Sequence, residues 1–116
     1  MKQHSAWIFV VFTFRVLLDF PSMILAEEGQ WTQKADMPTP RSALATCVVD
    51  GIIYAIGGTP DNWRGLSTIE AYDSQTDTWT RKKEMPTLRG WLSASVVDGK
   101  IYAIGGVDGV RSLSTV

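Results

Sequence analysis

An internal repeat of 48 residues constrains the fold of this chain more than any other feature. The sequence DGIIYAIGG at residues 50–58 recurs as DGKIYAIGG at residues 98–106. When residues 31–58 are aligned without gaps with residues 79–106, 18 of the 28 pairs are identical. The copies then diverge, and they converge again at LSTIE and LSTV with one residue fewer in the second copy. Because a period of this length marks one supersecondary unit per repeat, the repeat has to be interpreted before any single motif.

Each copy contains short segments with the composition of β-strands. ALATCVV and WLSASVV are rich in β-branched and small residues, and each is followed by Asp-Gly, which favours a two-residue type I′ hairpin turn. IIYAI and KIYAI are expected as second strands, STIEAY as a third and TWTRKK as a fourth. The fourth strand should end before EMPT, because proline cannot donate to a strand ladder. The sequence therefore predicts an all-β fold of four-stranded antiparallel sheets.

Glycine and aromatic residues of the repeat follow a definite order. Four apolar residues precede a double glycine, a tyrosine follows, and six residues separate it from a tryptophan. The motif positions are Gly57, Gly58, Tyr72 and Trp79 in the first unit, and Gly105 and Gly106 in the second. This order resembles the kelch repeat, and the resemblance implies an incomplete β-propeller of about two blades, with the first strand of each blade lining a central channel. The repeats would divide residues 27–116 into a first unit at about 31–78 and a truncated second unit at about 79–116.

Closure of a propeller requires more repeats than these. Propellers close with about four to eight blades, and repeat arrays generally need at least three units to be stable. We therefore expect the chain to be a fragment of a longer propeller or the product of a truncated reading frame. Open strand edges are expected to promote self-association.

Residues 1–26 have a different composition from the repeats. A short basic start precedes the apolar run AWIFVVFTF, and small Ala26 precedes acidic Glu27, as is typical of a secretory signal peptide. Arg15 and Asp19 interrupt the apolar character, and a spanning helix needs about 20 apolar residues, which disfavours a stable membrane anchor. A membrane anchor and an additional strand remain as alternatives. The pattern predicts a secreted or periplasmic protein whose mature chain begins near residue 27.

Charge and composition argue against several functional classes. A formal net charge of −1 provides no long-range field for nucleic acid. Cys47 is the only cysteine, so it forms neither an internal disulfide nor a thiolate metal site. His4 is the only histidine and lies in the predicted leader, which leaves Cys47 without an imidazole base. We therefore expect no catalytic residues, no metal and no cofactor.

Recognition is the remaining class of function. In proteins that this chain resembles, ligands bind the long loop after the glycine pair and the beginning of each first strand. The resemblance therefore points to residues 59–66 and 107–112, with Ala43 and Trp91. Because aromatic and arginine side chains provide most interface energy, the candidate ligand-binding residues are Trp63, Arg64, Trp91, Arg41 and Arg89. Two structural alternatives remain open: Trp63 packs onto its own blade, and both Arg41 and Arg89 pair with carboxylates of the adjacent repeat.

The sequence thus favours a non-catalytic binding module for a protein or carbohydrate ligand. The alternative is a fragment of a kelch-propeller enzyme acting on sugars, of the epimerase or oxidase type. Copper oxidases of this kind need histidine ligands, which residues 27–116 lack. Histidines or paired carboxylates in further repeats would favour the enzyme, whereas further copies with variable loops would favour binding.

Overall fold

Six β-strands make up the regular structure of residues 29–116. A computed structural model describes residues 29–116, and the predicted leader, residues 1–26, lies outside them. The strands are β1 (Ala45–Val49), β2 (Ile52–Ile56), β3 (Ile69–Asp73), β4 (Thr78–Arg81), β5 (Ser93–Val97) and β6 (Lys100–Ile104). All six belong to one compact unit, Lys34–Val116. The prediction of an all-β fold is confirmed. In the described part of the chain, no helix has the length and apolar character needed to cross a membrane.

The strands form two antiparallel sheets. The first sheet has the order β1-β2-β3-β4, with Tyr54 of β2 between Cys47 of β1 and Ala71 of β3. The second sheet pairs β5 with β6, and Ser95 lies opposite Tyr102. The four strands expected for the first repeat therefore make one blade. Within residues 29–116, the second repeat contributes two strands.

Tight turns join the first two strands of each sheet. Asp50 and Gly51 have φ angles of 50° and 76°, and Asp98 and Gly99 have φ angles of 50° and 71°. A type I′ turn requires positive φ at both central residues, and its twist matches that of the flanking strands. The hairpin turns predicted from the two Asp-Gly pairs are confirmed.

The first glycine pair lies where the backbones of the two repeats come closest. A Cβ atom at Gly57 would lie 2.3 Å from the carbonyl oxygen of Arg89. The neighbouring Gly58 donates its N–H to that same oxygen at 2.8 Å. Both glycines have positive φ, of 61° and 98°. The missing side chain of Gly57 therefore lets the chain pass close to the next blade.

The hydrophobic core lies between the two sheets. Strand β1 contacts β5, and the buried cluster consists of Ala45, Ile56 and Leu92. Tyr54 and Ile101 are partly buried against this cluster. One face of the first sheet therefore packs on one face of the second, as neighbouring blades do, and each sheet has its other face pointing outward.

The aromatic pair of the first repeat fastens the segment that precedes β1. The rings of Tyr72 and Trp79 are adjacent across β3 and β4, with centroids 5.0 Å apart. The Tyr72 hydroxyl donates to Asp77 at 2.7 Å, and the Ala35 N–H donates to the same carboxylate oxygen at 2.8 Å. The indole N–H of Trp79 donates to the carbonyl oxygen of Ala35 at 2.9 Å. The Ala35 N–H, and then the Tyr72 hydroxyl, lower the pKa of Asp77.

Candidate functional site

The long loops and the beginnings of the first strands lie at one end of the sheets. In an antiparallel sheet β1 begins, β2 ends and β3 begins at the same end. We use the name loop face for residues 59–66 and 107–112 together with Ala43 and Trp91. Backbone hydrogen bonds join its parts: Trp91 donates to the carbonyl of Ala43 at 2.8 Å, and Gly65 donates to that of Asp108 at 3.4 Å. The fold thus brings together the predicted loop regions of both repeats.

An aspartate organises the first loop. One carboxylate oxygen of Asp61 accepts the N–H groups of Trp63 at 3.0 Å and of Arg64 at 3.1 Å. These backbone donors, that of Arg64 first, lower the pKa of Asp61 because they stabilise its charged form. Asn62, between Asp61 and Trp63, has a positive φ of 69°. The turn presents Trp63 and Arg64 side by side at its tip.

The second loop repeats this device at a shorter length. Asp108 accepts the N–H groups of Val110 at 2.8 Å and Arg111 at 2.9 Å. The same donors, Arg111 first, lower the pKa of Asp108. Both loops therefore contain an Asp-x-apolar-Arg turn, at residues 61–64 and 108–111.

The gapless 48-residue alignment does not pair these two turns, because the second loop is one residue shorter. They align when the second loop is shifted by one residue. The candidate residues that the sequence reasoning missed are Asp61, Asp108, Val110 and Arg111.

Both turns expose an apolar side chain. Trp63 is 78% exposed and Val110 is 90% exposed. The alternative that Trp63 packs onto its own blade is wrong. A groove of about 290 Å³ lies between the two loops, lined by Trp63, Arg64 and Val110 together with both aspartates. Trp91 is half exposed on the same face, with a left-handed φ of 52° that matches the 53° of Ala43 in the first repeat.

Arg41, a candidate ligand-binding residue, instead lies inside the first sheet. Its guanidinium pairs with the Glu70 carboxylate at 2.8 Å, and the side chains are 0% and 2% exposed. It also donates to the carbonyls of Gly57 at 3.0 Å and Thr68 at 2.9 Å. Burial lowers the pKa of Arg41, and the charge of Glu70 acts against this effect. Both residues belong to the first repeat, so the alternative that placed its carboxylate in the adjacent repeat is wrong.

Arg89 occupies the matching place in the second repeat. The residue is 5% exposed, and its guanidinium donates to the carbonyls of Gly105 at 2.9 Å and Thr115 at 2.8 Å. Neither buried arginine presents its guanidinium at the loop face. Of the five predicted binding residues, the structure places Trp63, Arg64 and Trp91 on the loop face and the other two in the interior.

The described residues offer little for catalysis. Burial raises the pKa of the Cys47 thiol, which keeps it protonated at neutral pH. Within residues 29–116 there is no group of three or more His, Cys, Asp or Glu residues that could hold a metal ion. On the loop face, the two aspartates already accept backbone N–H groups. What the face offers is apolar contact area beside guanidinium donors, a combination suited to recognition.

Comparison with known sequences decides the family. The kelch motif matches residues 40–86 and 92–116, and the first match contains all of β1 to β4. The chain belongs to the kelch-repeat family. The resemblance in the glycine and aromatic pattern is thereby confirmed. Among solved structures, that of YjhT matches with a TM-score of 0.64 and 27% identity over 69% of this chain and 25% of its own length.

Similar proteins are found in an animal with a backbone, in a plant and in an arthropod. Kelch-like ECH-associated protein 1B of Danio rerio is 38% identical over 63 residues, which is 52% of this chain and 11% of the relative. F-box/kelch-repeat protein SKIP30 of Arabidopsis thaliana is 38% identical over 43% of this chain and 14% of its own length. Alpha-scruin of Limulus polyphemus is 39% identical over 40% of this chain and 5% of its own. The matched kelch repeats therefore span a small part of these larger proteins.

Proposed function

We propose that this kelch-repeat chain is a non-catalytic protein-interaction module that binds its partner through the loop face. One observation carries the proposal: both repeats build the same Asp-x-apolar-Arg turn, and both turns place the apolar side chain in solvent. Two adjacent, exposed turns of the same kind provide a bivalent binding surface. An indole, a branched aliphatic side chain and two guanidinium groups are suited to a protein partner with apolar and acidic groups.

The aspartates fix the shape of this surface and leave the arginines available. Because Asp61 directs its carboxylate at backbone N–H groups, Arg64 keeps donors for a ligand. Arg111 lies 4.0 Å from Asp108, at the outer limit of an ion pair, and is largely exposed. The name of the Danio rerio relative describes association with another protein, which supports a protein partner here.

Replacing Trp63 with alanine should weaken partner binding at least tenfold, about 1.4 kcal/mol, because the exposed indole is the largest apolar group on the loop face. The probes are peptides selected from a displayed random library against the full chain. Their affinities for the wild-type and variant chains are measured by fluorescence polarisation. Trp31→Ala is the matched control, since the Trp31 side chain is also largely in solvent but is not part of the loop face.

Selected peptides that bind the Trp63→Ala and Trp31→Ala chains equally would contradict the proposal. Arg64→Ala and Arg111→Ala provide a second check, because each should weaken the binding of acidic peptides more than the binding of uncharged peptides. A glycan array measured in parallel addresses the alternative function. Specific sugar binding without any selected peptide would favour a fragment of a sugar-directed propeller enzyme.

We propose in addition that the protein is exported, on the basis of the apolar run and the Ala26-Glu27 junction in its leader. N-terminal sequencing of the secreted or periplasmic protein should begin at or near Glu27. Replacing two apolar residues of the run, Val10 and Val11, with aspartate should abolish export. A product that keeps Met1 and sediments with membranes would contradict signal-peptide cleavage.

A further inference from the structure

A leucine outside the loop face contributes to the groove between the two loops. Leu88 belongs to the segment that joins β4 to β5, and it is 41% exposed. It lines the groove together with Trp63 of the first loop and Val110 of the second. One apolar side chain from each loop and one from the segment between the repeats therefore meet in a single concavity.

Main-chain bonds attach the segment that contains Leu88 to both loops. The Arg89 N–H donates to the carbonyl of Leu66, at the end of the first loop, at 3.1 Å. Gly90 and Val107, at the start of the second loop, exchange N–H···O bonds of 2.9 and 2.8 Å. The two residues after Leu88 are thus bonded one to each loop. A groove held in this way is preformed, which lowers the entropic cost of binding.

The two loops also contact each other directly beside the groove. A Cβ atom at Gly109 would lie 3.0 Å from the carbonyl oxygen of Trp63 and 3.4 Å from the Cα atom of Arg64. Gly109 has a φ of 117°, which residues with side chains rarely adopt. The second loop therefore approaches the first as closely as a glycine permits. Both sides of the groove belong to described residues of the two repeats.

The charged groups restrict what the groove can hold. Asp61 and Asp108 line it, and each carboxylate accepts two backbone N–H groups that stabilise its ionised form. Two negative charges disfavour an anionic group inside the groove. Arg64 also lines it, and within residues 29–116 its guanidinium forms no ion pair. Arg64 therefore favours a carboxylate beside the groove, and the apolar side chains favour an apolar group inside it.

The size of the groove suits one large side chain. Its volume is about 290 Å³, and an apolar cavity of about 150 Å³ is large enough to bind benzene. A leucine, methionine or phenylalanine side chain fits this space together with part of its own backbone. An extended segment can insert such a side chain, whereas a whole helix cannot enter.

We propose that the groove binds one large apolar side chain of the partner polypeptide, and that an acidic residue directly beside it in the partner pairs with Arg64. This inference rests on the proposed function, since the groove is part of the loop face, and it adds the chemistry of the partner segment. Leu88 is then a specificity-determining residue, although it lies outside the loops. Its contact with the inserted side chain favours an apolar residue at that position.

The probe is the tightest peptide selected from the displayed random library against the full chain. Its sequence should contain a large apolar residue directly beside Asp or Glu. Replacing that apolar residue with alanine should weaken binding about tenfold in fluorescence polarisation. Replacing the acidic residue with its amide should weaken binding about fivefold. The acid and amide peptides should bind the Arg64→Gln chain equally.

Leu88→Ala should also weaken binding of the selected peptide about tenfold. The matched control is Val48→Ala, an exposed apolar residue near the other end of β1, which should leave the affinity unchanged. A peptide that needs Trp63 but is indifferent to Leu88 and to the loss of its own apolar residue would overturn this inference and leave the loop face as the binding surface. A peptide indifferent to Trp63 as well would overturn both proposals. The peptide variants on the wild-type chain remain decisive if a chain variant does not fold.

Discussion

Replacing Glu70 with alanine is expected to lower the free energy of unfolding by about 3–5 kcal/mol, the range for breaking a buried ion pair from one side. The substitution leaves the Arg41 guanidinium, whose side chain is 0% exposed, without its opposite charge. It also removes the acceptor of the Thr39 hydroxyl. The midpoint and slope of urea unfolding, followed by tryptophan fluorescence at one fixed protein concentration, measure the effect.

Glu84→Ala is the matched control for this substitution. Glu84 also pairs with an arginine, Arg81, but both side chains are about half exposed. Exposed pairs contribute about 0–1 kcal/mol, so this change should be small. A double replacement, Arg41→Met with Glu70→Leu, should restore much of the lost stability, because it removes both buried charges together. Equal losses for the Glu70 and Glu84 variants would contradict the assignment of Arg41–Glu70 as a buried structural pair.

The burial of Arg41 and Arg89 could not be predicted from their positions in the sequence. Arg41 precedes β1 by four residues, and its partner Glu70 is the second residue of β3. Their contact depends on how β3 registers against β2, with Glu70 opposite Ala55. A sequence pattern gives the order of the strands. It does not show whether an arginine that precedes a strand is buried against the sheet or exposed on a loop.

The strands themselves follow closely from local sequence. The bounds of β2 and β6 coincide with the predicted IIYAI and KIYAI segments, because an Asp-Gly turn and a double glycine delimit each of them. Strand β3 begins at Ile69, two residues later than predicted. The carbonyls of Ser67 and Thr68 accept N–H groups of Met85 and Gly57 instead of continuing the ladder.

The loop face was predicted as a region and only partly as a set of residues. Its location follows from hairpin topology, which places both long loops at one end. Trp63 was identified by its residue type, and its exposure needed the structure. The Asp-x-apolar-Arg turns are visible in the sequence once the shorter second loop is shifted by one residue. Their shared geometry depends on Asp side chains bonding backbone N–H groups two and three residues ahead.

The second large effect concerns association of the polypeptide that consists of residues 27–116. Tyr102 and Ile104 on the outward face of the second sheet are each 41% exposed, although their counterparts Tyr54 and Ile56 belong to the packed core. Val48 and Ile53 are exposed on the opposite face of the first sheet. The outward face of the second sheet therefore corresponds, by the repeat, to the face of the first sheet that packs against the second sheet.

This relation favours head-to-tail association. Copies would reuse the packing between the two sheets, and a heterologous contact of that kind continues from one copy to the next. Ordering the backbone costs about 1–2 kcal/mol per residue, and a single packed junction between blades offers little burial to offset it. In the isolated polypeptide of residues 27–116, we expect the exposed apolar faces to gain further burial when copies meet.

The central claim is that residues 29–116 form a four-stranded sheet packed on a two-stranded sheet. Light scattering on the purified polypeptide of residues 27–116, combined with thermal unfolding over a hundredfold range of protein concentration, tests it. We expect oligomers at micromolar concentration and an unfolding midpoint that rises with concentration. Ile104→Lys, which charges the outward face, should shift the population toward smaller species, whereas Lys100→Arg should not. A monodisperse monomer with a sharp unfolding transition independent of concentration would contradict the claim.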